Sequence, residues 1–346
     1  MVAAVAEALS PIGARMLDVS IRDLDRAAFA ALIAPQLEQH GVLVFKDQHR
    51  CTAEDLLRFA LMHPDADPVA AEHNPFAVAD PACIPGLPMV RAIGTGAGPD
   101  GTPWAPARGA VPESNRIGHE WHTDGTGVTV LLCCDAPADG SRTTLYASGY
   151  AAYECLDADR QRLASTLRGM YGPKYTMEAT VSEMCRRGVR MSEDGVRRTA
   201  NIAPDRLTAA ELAKCVDTPN RRRYDVYVGP LAKRHPETGR MTLFSTPLLL
   251  EAFDGHGEEE SQEIIGDLLR PGVSADRVYE HRWQRGDVVI WDNRCMLHST
   301  TPWNEQPHLL LQVFARTRTP MLPPMHLSDN AIHVSDDSNA KRTRRA

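Results

Sequence analysis

Two histidines and one aspartate constrain this chain more than any other feature. They are His122 and Asp124 in the run Gly118-His-Glu-Trp-His-Thr-Asp-Gly125, and His298 at the end of Trp291-Asp-Asn-Arg-Cys-Met-Leu-His298. Side chains two apart on a β-strand point to the same face. A strand carrying both His122 and Asp124 therefore needs a neighbouring strand to bring in His298, and that requirement favours a sheet-built fold. Two imidazoles and one carboxylate on one side of an octahedral ion are the facial arrangement of non-haem iron sites, which leaves the other positions open to oxygen and an organic chelator. The pattern is that of an oxygenase.

Composition narrows the alternatives. With 346 residues and 43% hydrophobic content, the chain can bury a large core, and β-rich domains with insertions reach this length around one core. A formal net charge of -7 argues against nucleic-acid binding, which relies on a basic field. The one basic cluster, Lys341-Arg-Thr-Arg-Arg345, follows Ser335-Asp-Asp-Ser-Asn and reads as a disordered tail over 331–346. Eight cysteines carry no CxxC spacing, and neither a signal peptide nor an apolar run of membrane-spanning length occurs, so a reduced, soluble, cytoplasmic protein is expected. Cys133 and Cys134 sit in the apolar run Val128-Thr-Val-Leu-Leu-Cys-Cys and are expected to act as small hydrophobes rather than zinc ligands.

A single domain is expected over 1–330. Leu24 to His40 has helical apolar spacing and Gly41-Val-Leu-Val-Phe45 is of strand length. Thr52-Ala-Glu-Asp55 offers a helix start with a capping residue. Residues 64–115 are rich in Pro, Gly and Ala and read as a loop or lid walling a pocket. Thr143 to Ala147 reads as a strand returning from a turn, and Ala151 to Met170 as helix. The polar stretch 172–223, with nine arginines, reads as an insertion. Strands are expected at Tyr224–Val228, Met241–Phe244, Gly286–Trp291 and Leu309–Arg316, with a helix at Ser261–Leu269. Strands toward both ends with helices between them suggest a mainly β fold, a jelly roll or double-stranded β-helix with helical insertions.

A histidine and an aspartate two apart occur often by chance, and alone would more often be a surface strand pair. Here a tryptophan precedes the pair, small residues follow it, and His298 comes after a strand ending in Trp291-Asp-Asn-Arg294. These residues, with Thr144-Leu-Tyr-Ala-Ser-Gly-Tyr-Ala-Ala-Tyr153, His235-Pro-Glu-Thr-Gly-Arg240 and Arg282-Trp-Gln-Arg-Gly-Asp-Val-Val-Ile-Trp-Asp-Asn-Arg294, resemble the taurine dioxygenase and 2,4-dichlorophenoxyacetate dioxygenase family of iron(II)- and 2-oxoglutarate-dependent oxygenases. The blocks span roughly 41–318 in the expected order. The resemblance implies that His122, Asp124 and His298 ligate iron, and that Thr144 donates a hydrogen bond to the 2-oxoglutarate carboxylate. It implies Fe(II) and O2 as further requirements, a small polar organic substrate, release of succinate and CO2, and a dimer or tetramer. Halogenating relatives replace the carboxylate ligand with a small residue, so Asp124 points to hydroxylation or desaturation.

The chain departs from that family at one place. Members hold the distal carboxylate of 2-oxoglutarate with an arginine on the last strand, often with a second arginine four residues later. Those positions read His308 and Gln312 here, or Gln312 and Arg316 if the preceding loop is longer. A buried carboxylate calls for a fixed cation, and residues 308, 312, 316 and 318 share strand parity. Arg316 is the expected anchor, with Arg318 as the next choice; the other readings are a different co-substrate, an arginine from elsewhere in the chain, or none. Substrate contacts are expected from His73, Asn74, Arg91 and Trp104. Two rival readings use the same triad: an iron oxygenase that does not take 2-oxoglutarate, and a metal-binding protein or zinc hydrolase.

Overall fold

The structure, a computed structural model, describes residues 5–67, 83–84, 86–94, 119–124, 127–171, 226–244, 250–301, 306–319 and 332–334. Eight strands form the largest sheet, and in chain order they are β1 (Val5–Ala8), β2 (Ala14–Leu17), β3 (Val42–Phe45), β4 (Cys83–Ile84), β5 (Leu87–Gly94), β7 (Gly127–Asp135), β15 (Val288–Asp292) and β17 (Leu309–Arg316). Their spatial order is β1-β2-β3-β15-β7-β17-β5-β4. A second sheet has the order β14-β8-β16-β6, built from β6 (His119–His122), β8 (Thr143–Ser148), β14 (Val278–Arg282) and β16 (Met296–Thr300). Smaller sheets pair β11 (Ala232–Arg234) with β12 (Met241–Leu243), and order β13 (Leu250–Phe253), β9 (Arg168–Tyr171), β10 (Val226–Pro230) and β18 (Ile332–Val334) as β13-β9-β10-β18.

Period-2 alternation decides which residues meet. On β17, Leu309, Leu311, Val313 and Ala315 join a core with Phe29, Phe45 and Phe59, whose rings meet edge to face at 5.3 and 5.4 Å. The helical stretch made of Arg26–Ala28, Phe29–Ile33 and Ala34–His40 and the helix Ala53–Ala60 cover that face. The opposite face of the large sheet presents Val44, Leu131, Val289, Trp291 and Leu310, which pack with Tyr146 of β8 and Met296 of β16. The space between the two sheets is thus the one into which His298, next to Leu297 on β16, projects its ring toward Trp291, at 4.9 Å between centroids.

Several sequence expectations shift. The helix of residues 24–40 begins at Arg26 and carries a π-helical turn at Phe29–Ile33. Thr52 caps the next helix through the full capping box with Asp55. Inside the expected loop 64–115, Leu87–Gly94 is an eight-residue strand hydrogen-bonded to β17, with Gly94 at φ +127 where a Cβ would collide with the His308 carbonyl. The expected helix 151–170 is two helices, Gly149–Glu154 and Ala158–Thr166, because Asp157 caps the second and Arg168–Tyr171 leaves as a strand. In the expected tail, Ile332–Val334 pairs parallel with β10. The insertion 172–223 lies outside the described residues. No helix among the described residues is long and apolar enough to cross a membrane.

Candidate metal centre

His122 closes β6 and pairs across the ladder directly with His298 on β16. Asp124 lies two residues beyond the end of β6, not within a strand as the HxD pattern suggested. The result is still convergent. His122 Nε2 is 3.9 Å and His298 Nε2 is 3.7 Å from Asp124 Oδ1, the imidazole centroids are 4.0 Å apart, and all three ligand atoms lie within 4.8 Å of one another. The edge between cis ligands held at about 2.1 Å from an octahedral ion is about 3 Å, so small side-chain rotations bring these atoms onto a metal. The donor set, two imidazoles and one carboxylate, fits iron(II). The side chains are 13%, 13% and 7% exposed, which leaves the centre reachable while shielding it. Burial, with His122 adding to it, holds His298 well below its ordinary pKa, so its ring is neutral and a lone pair is available to a cation.

A hydrogen-bonded support fixes Asp124. The Thr129 hydroxyl donates to Asp124 Oδ2 at 2.7 Å and accepts from Asn293 Nδ2 at 2.7 Å. Asn293 Oδ1 in turn accepts from Trp291 Nε1 at 2.8 Å and from the Asp124 backbone N–H at 3.2 Å, which fixes the orientation of the amide. Thr123 donates to the Asn293 carbonyl at 2.6 Å. Sequence reading assigned no role to Thr129 or Asn293, since the support forms only when Asn293 meets Thr129 and Asp124 across more than 160 positions. Thr129→Val removes the hydroxyl but keeps the shape. Its expected effect is a 10- to 100-fold loss of metal affinity with little change in melting temperature, measured by metal titration beside thermal unfolding.

Among the described residues a second group of metal-capable side chains, His235, Asp292 and Cys295, is fully buried. Its carboxylate is already engaged: Arg294 Nη2 lies 2.7 Å and His235 Nε2 3.2 Å from Asp292 Oδ2, and Arg294 also reaches Glu237 at 3.1 Å. Burial, reinforced by Asp292, pushes the Cys295 thiol well above its ordinary pKa, so the thiolate that a metal needs is disfavoured. The group is a charge network that ties the turn at His235–Arg240 to the end of β15.

A family model described as "Taurine catabolism dioxygenase TauD, TfdA family" matches residues 5–314. The chain belongs to this family. It is 28% identical over 300 residues to the (S)-phenoxypropionate/alpha-ketoglutarate-dioxygenase of Delftia acidovorans, covering 85% of this chain and 87% of the relative. Its fold matches the crystal structure of AAD-2 in complex with Mn(II) and N-oxalylglycine with a TM-score of 0.66 at 18% identity, over 92% of this chain and 99% of that one. A taurine dioxygenase from Burkholderia xenovorans matches with a TM-score of 0.61 at 20% identity, over 93% of each chain. This TauD/TfdA-family member is an iron(II)- and 2-oxoglutarate-dependent dioxygenase, with O2 as its third requirement.

The other residues singled out in this family member lie at distinct places. Thr144 is buried on β8 and accepts a hydrogen bond from Trp283 Nε1 at 3.0 Å. His308 is buried at the entry to β17, and burial with Arg142 nearby pushes it down to about 3. Gln312 accepts from Arg91 Nη1 of β5 at 3.1 Å, and the Arg91 guanidinium lies 5.9 Å from the Phe314 ring centroid. Arg316 is half-buried at the far end of β17, opposite Gly127, and burial lowers its pKa against the opposing charge of Asp67. Arg318 is exposed and donates to the Pro64 carbonyl at 3.4 Å. His73, Asn74 and Trp104 lie outside the described residues.

Proposed function

We propose that His122, Asp124 and His298 hold the iron of this dioxygenase, and that the enzyme hydroxylates or desaturates a small polar organic substrate. The reading places the site in a single domain over 1–330, with a jelly-roll core formed by the two facing sheets. The observation that carries it is the convergence of two imidazoles and one carboxylate within 4.8 Å. Bound there, iron supplies oxygen activation coupled to oxidative decarboxylation of 2-oxoglutarate to succinate and CO2.

The chain's own residues do the rest. Asp124 offsets part of the metal charge, and Thr129 and Asn293 keep its carboxylate turned toward the histidines. Trp291 and Tyr146, both fully buried, pack around His298 and exclude water from the inner side of the site. Arg91 shares the inter-sheet face with Gln312 and Phe314 and offers a cation to a polar substrate. The names of relatives span phenoxypropionate, xanthine and sulfate ester dioxygenases, which supports a small polar substrate class without selecting a member. The reading also takes the protein as cytoplasmic and as a dimer or tetramer, which sedimentation checks.

The experiment is a panel of small organic acids and their uncharged analogues, offered with Fe(II), 2-oxoglutarate and oxygen. The expected result is substrate-dependent succinate release with a product that has gained one oxygen atom or lost a pair of hydrogens. Oxygen-independent hydrolysis supported by zinc, with no succinate from any panel member, would show that the site does other chemistry.

A further inference from the structure

The co-substrate is a dianion, and its distal carboxylate must meet a cation somewhere between the sheets. The inward-facing residues at the start of β17, His308, Leu310 and Gln312, are all uncharged, with His308 held neutral. The charge on this side comes from the turn before β8. Arg142, two residues before Thr144 at the entry to β8, is 4% exposed, and burial lowers its pKa to about 10. At that value the guanidinium is still a cation at neutral pH. After burial, its positive charge is the next cause that lowers the His308 pKa.

The register of β8 against β16 places this cation in line with the metal ligands. His298 is opposite Tyr146 and Thr300 opposite Thr144, so by strand parity Thr144, Tyr146 and His298 lie on one face, and Arg142 precedes Thr144 by two residues at the end of the turn that enters β8. From the His298 rung to the Thr144 rung is two residues, roughly 6–7 Å, about the span of an extended five-carbon dicarboxylate. Thr144 Oγ1 already accepts a hydrogen bond from Trp283, which turns its own O–H outward as a donor. Tyr146, on the His298 rung, has a fully buried hydroxyl with no hydrogen-bond partner among the described residues, a polar atom that an incoming ligand would satisfy. The competing arginines stand elsewhere. Arg91 pairs with Gln312, four residues and roughly 13 Å along β17 from His308, and Arg316 is eight residues away at the opposite end.

We propose that Arg142, with Thr144 close by in sequence, holds the distal carboxylate of 2-oxoglutarate, so that in this enzyme the anchoring guanidinium is supplied from the turn that enters β8 and not by β17. The inference rests on the metal reading above. Its test compares 2-oxoglutarate with 2-oxopentanoate, a 2-oxo acid of equal chain length that lacks the distal carboxylate.

Affinities are measured calorimetrically on Mn(II)-loaded wild type, R142M, R142K and R316M, after metal content has been determined for each. The wild type should favour 2-oxoglutarate strongly. R142M should lose 2-oxoglutarate affinity by roughly 100-fold, the size of loss seen when one partner of a buried hydrogen-bonded charge pair is truncated, and bind 2-oxopentanoate as before. R142K should recover part of the loss, and R316M should keep the wild-type preference. If R142M does not fold, R316M decides: a preference that survives in it supports the Arg142 anchor, and one that collapses overturns it. A full preference for 2-oxoglutarate in folded R142M also overturns the proposal while leaving the metal reading intact. A wild type that binds no Mn(II) refutes the metal reading and this inference together.

Discussion

Replacing Asp124 or His122 with alanine should abolish stoichiometric iron binding and, with it, all 2-oxoglutarate turnover. The loss should exceed the 10- to 100-fold expected when an outer-shell partner such as Thr129 is removed, because a ligand atom itself disappears. His122 closes β6, Asp124 follows two residues beyond it, and both are 13% exposed, so folding should be almost untouched. Metal content after equilibrium dialysis, read beside the melting temperature, separates the two effects. A variant that keeps the wild-type melting temperature but has lost iron is the expected outcome. One that retains both iron and turnover would remove that residue from the site.

The second large effect lies away from the metal. Arg294 is fully buried, and Asp292 meets it through contacts at 2.7 and 2.9 Å while also contacting His235 at 3.2 Å. Asp292→Asn keeps the shape and removes the charge, leaving Arg294 to Glu237 and to Asp65 at 3.4 Å. Breaking a buried pair in this way costs about 3–5 kcal/mol, measurable by denaturant unfolding at neutral pH. The pH dependence has a definite sign. Burial raises the Asp292 pKa, but Arg294 and His235 outweigh it and hold the carboxyl well below the usual carboxylate range. A folded-state pKa below the unfolded value of about 3.9 gives stability that is present above that pH and is lost as pH falls toward the folded value. The gap between wild type and Asp292→Asn should therefore be widest at neutral pH and narrow below about pH 4. A gap that stays constant down to pH 3 would mean that the carboxylate charge is not what the variant loses.

How much of this was legible beforehand depends on whether the signal is local. Leu309–Arg316 matches the observed strand to the residue, because a short apolar run interrupted only by Gln312 before its closing arginine reads as a buried strand whatever it pairs with. The triad was legible from residue identity and the block pattern around it. Leu87–Gly94 was not: proline, arginine and a closing glycine hide its alternation, and its strand character comes from pairing with β17 more than two hundred positions away. The break between the helices Gly149–Glu154 and Ala158–Thr166 turns on one capping aspartate.

Arg142 was invisible for a related reason. It closes the turn Ala136-Pro-Ala-Asp-Gly-Ser-Arg142, where an arginine reads as solvent-facing, and only the tertiary fold buries it beside His308. Strand parity alone could not tell that Arg316 closes β17 at the opposite end from His308. The support under Asp124 is similar, since Thr129, Trp291 and Asn293 meet only once β15 lies beside β7.

The most direct test of the central claim is anaerobic titration of the purified protein with Fe(II), followed by addition of 2-oxoglutarate, on wild type and His298→Ala in parallel. About one iron should bind per wild-type chain and a visible absorption band should appear when 2-oxoglutarate is added, with neither seen in the variant. A wild type that shows neither, or a His298→Ala variant that shows both in full, would contradict that claim.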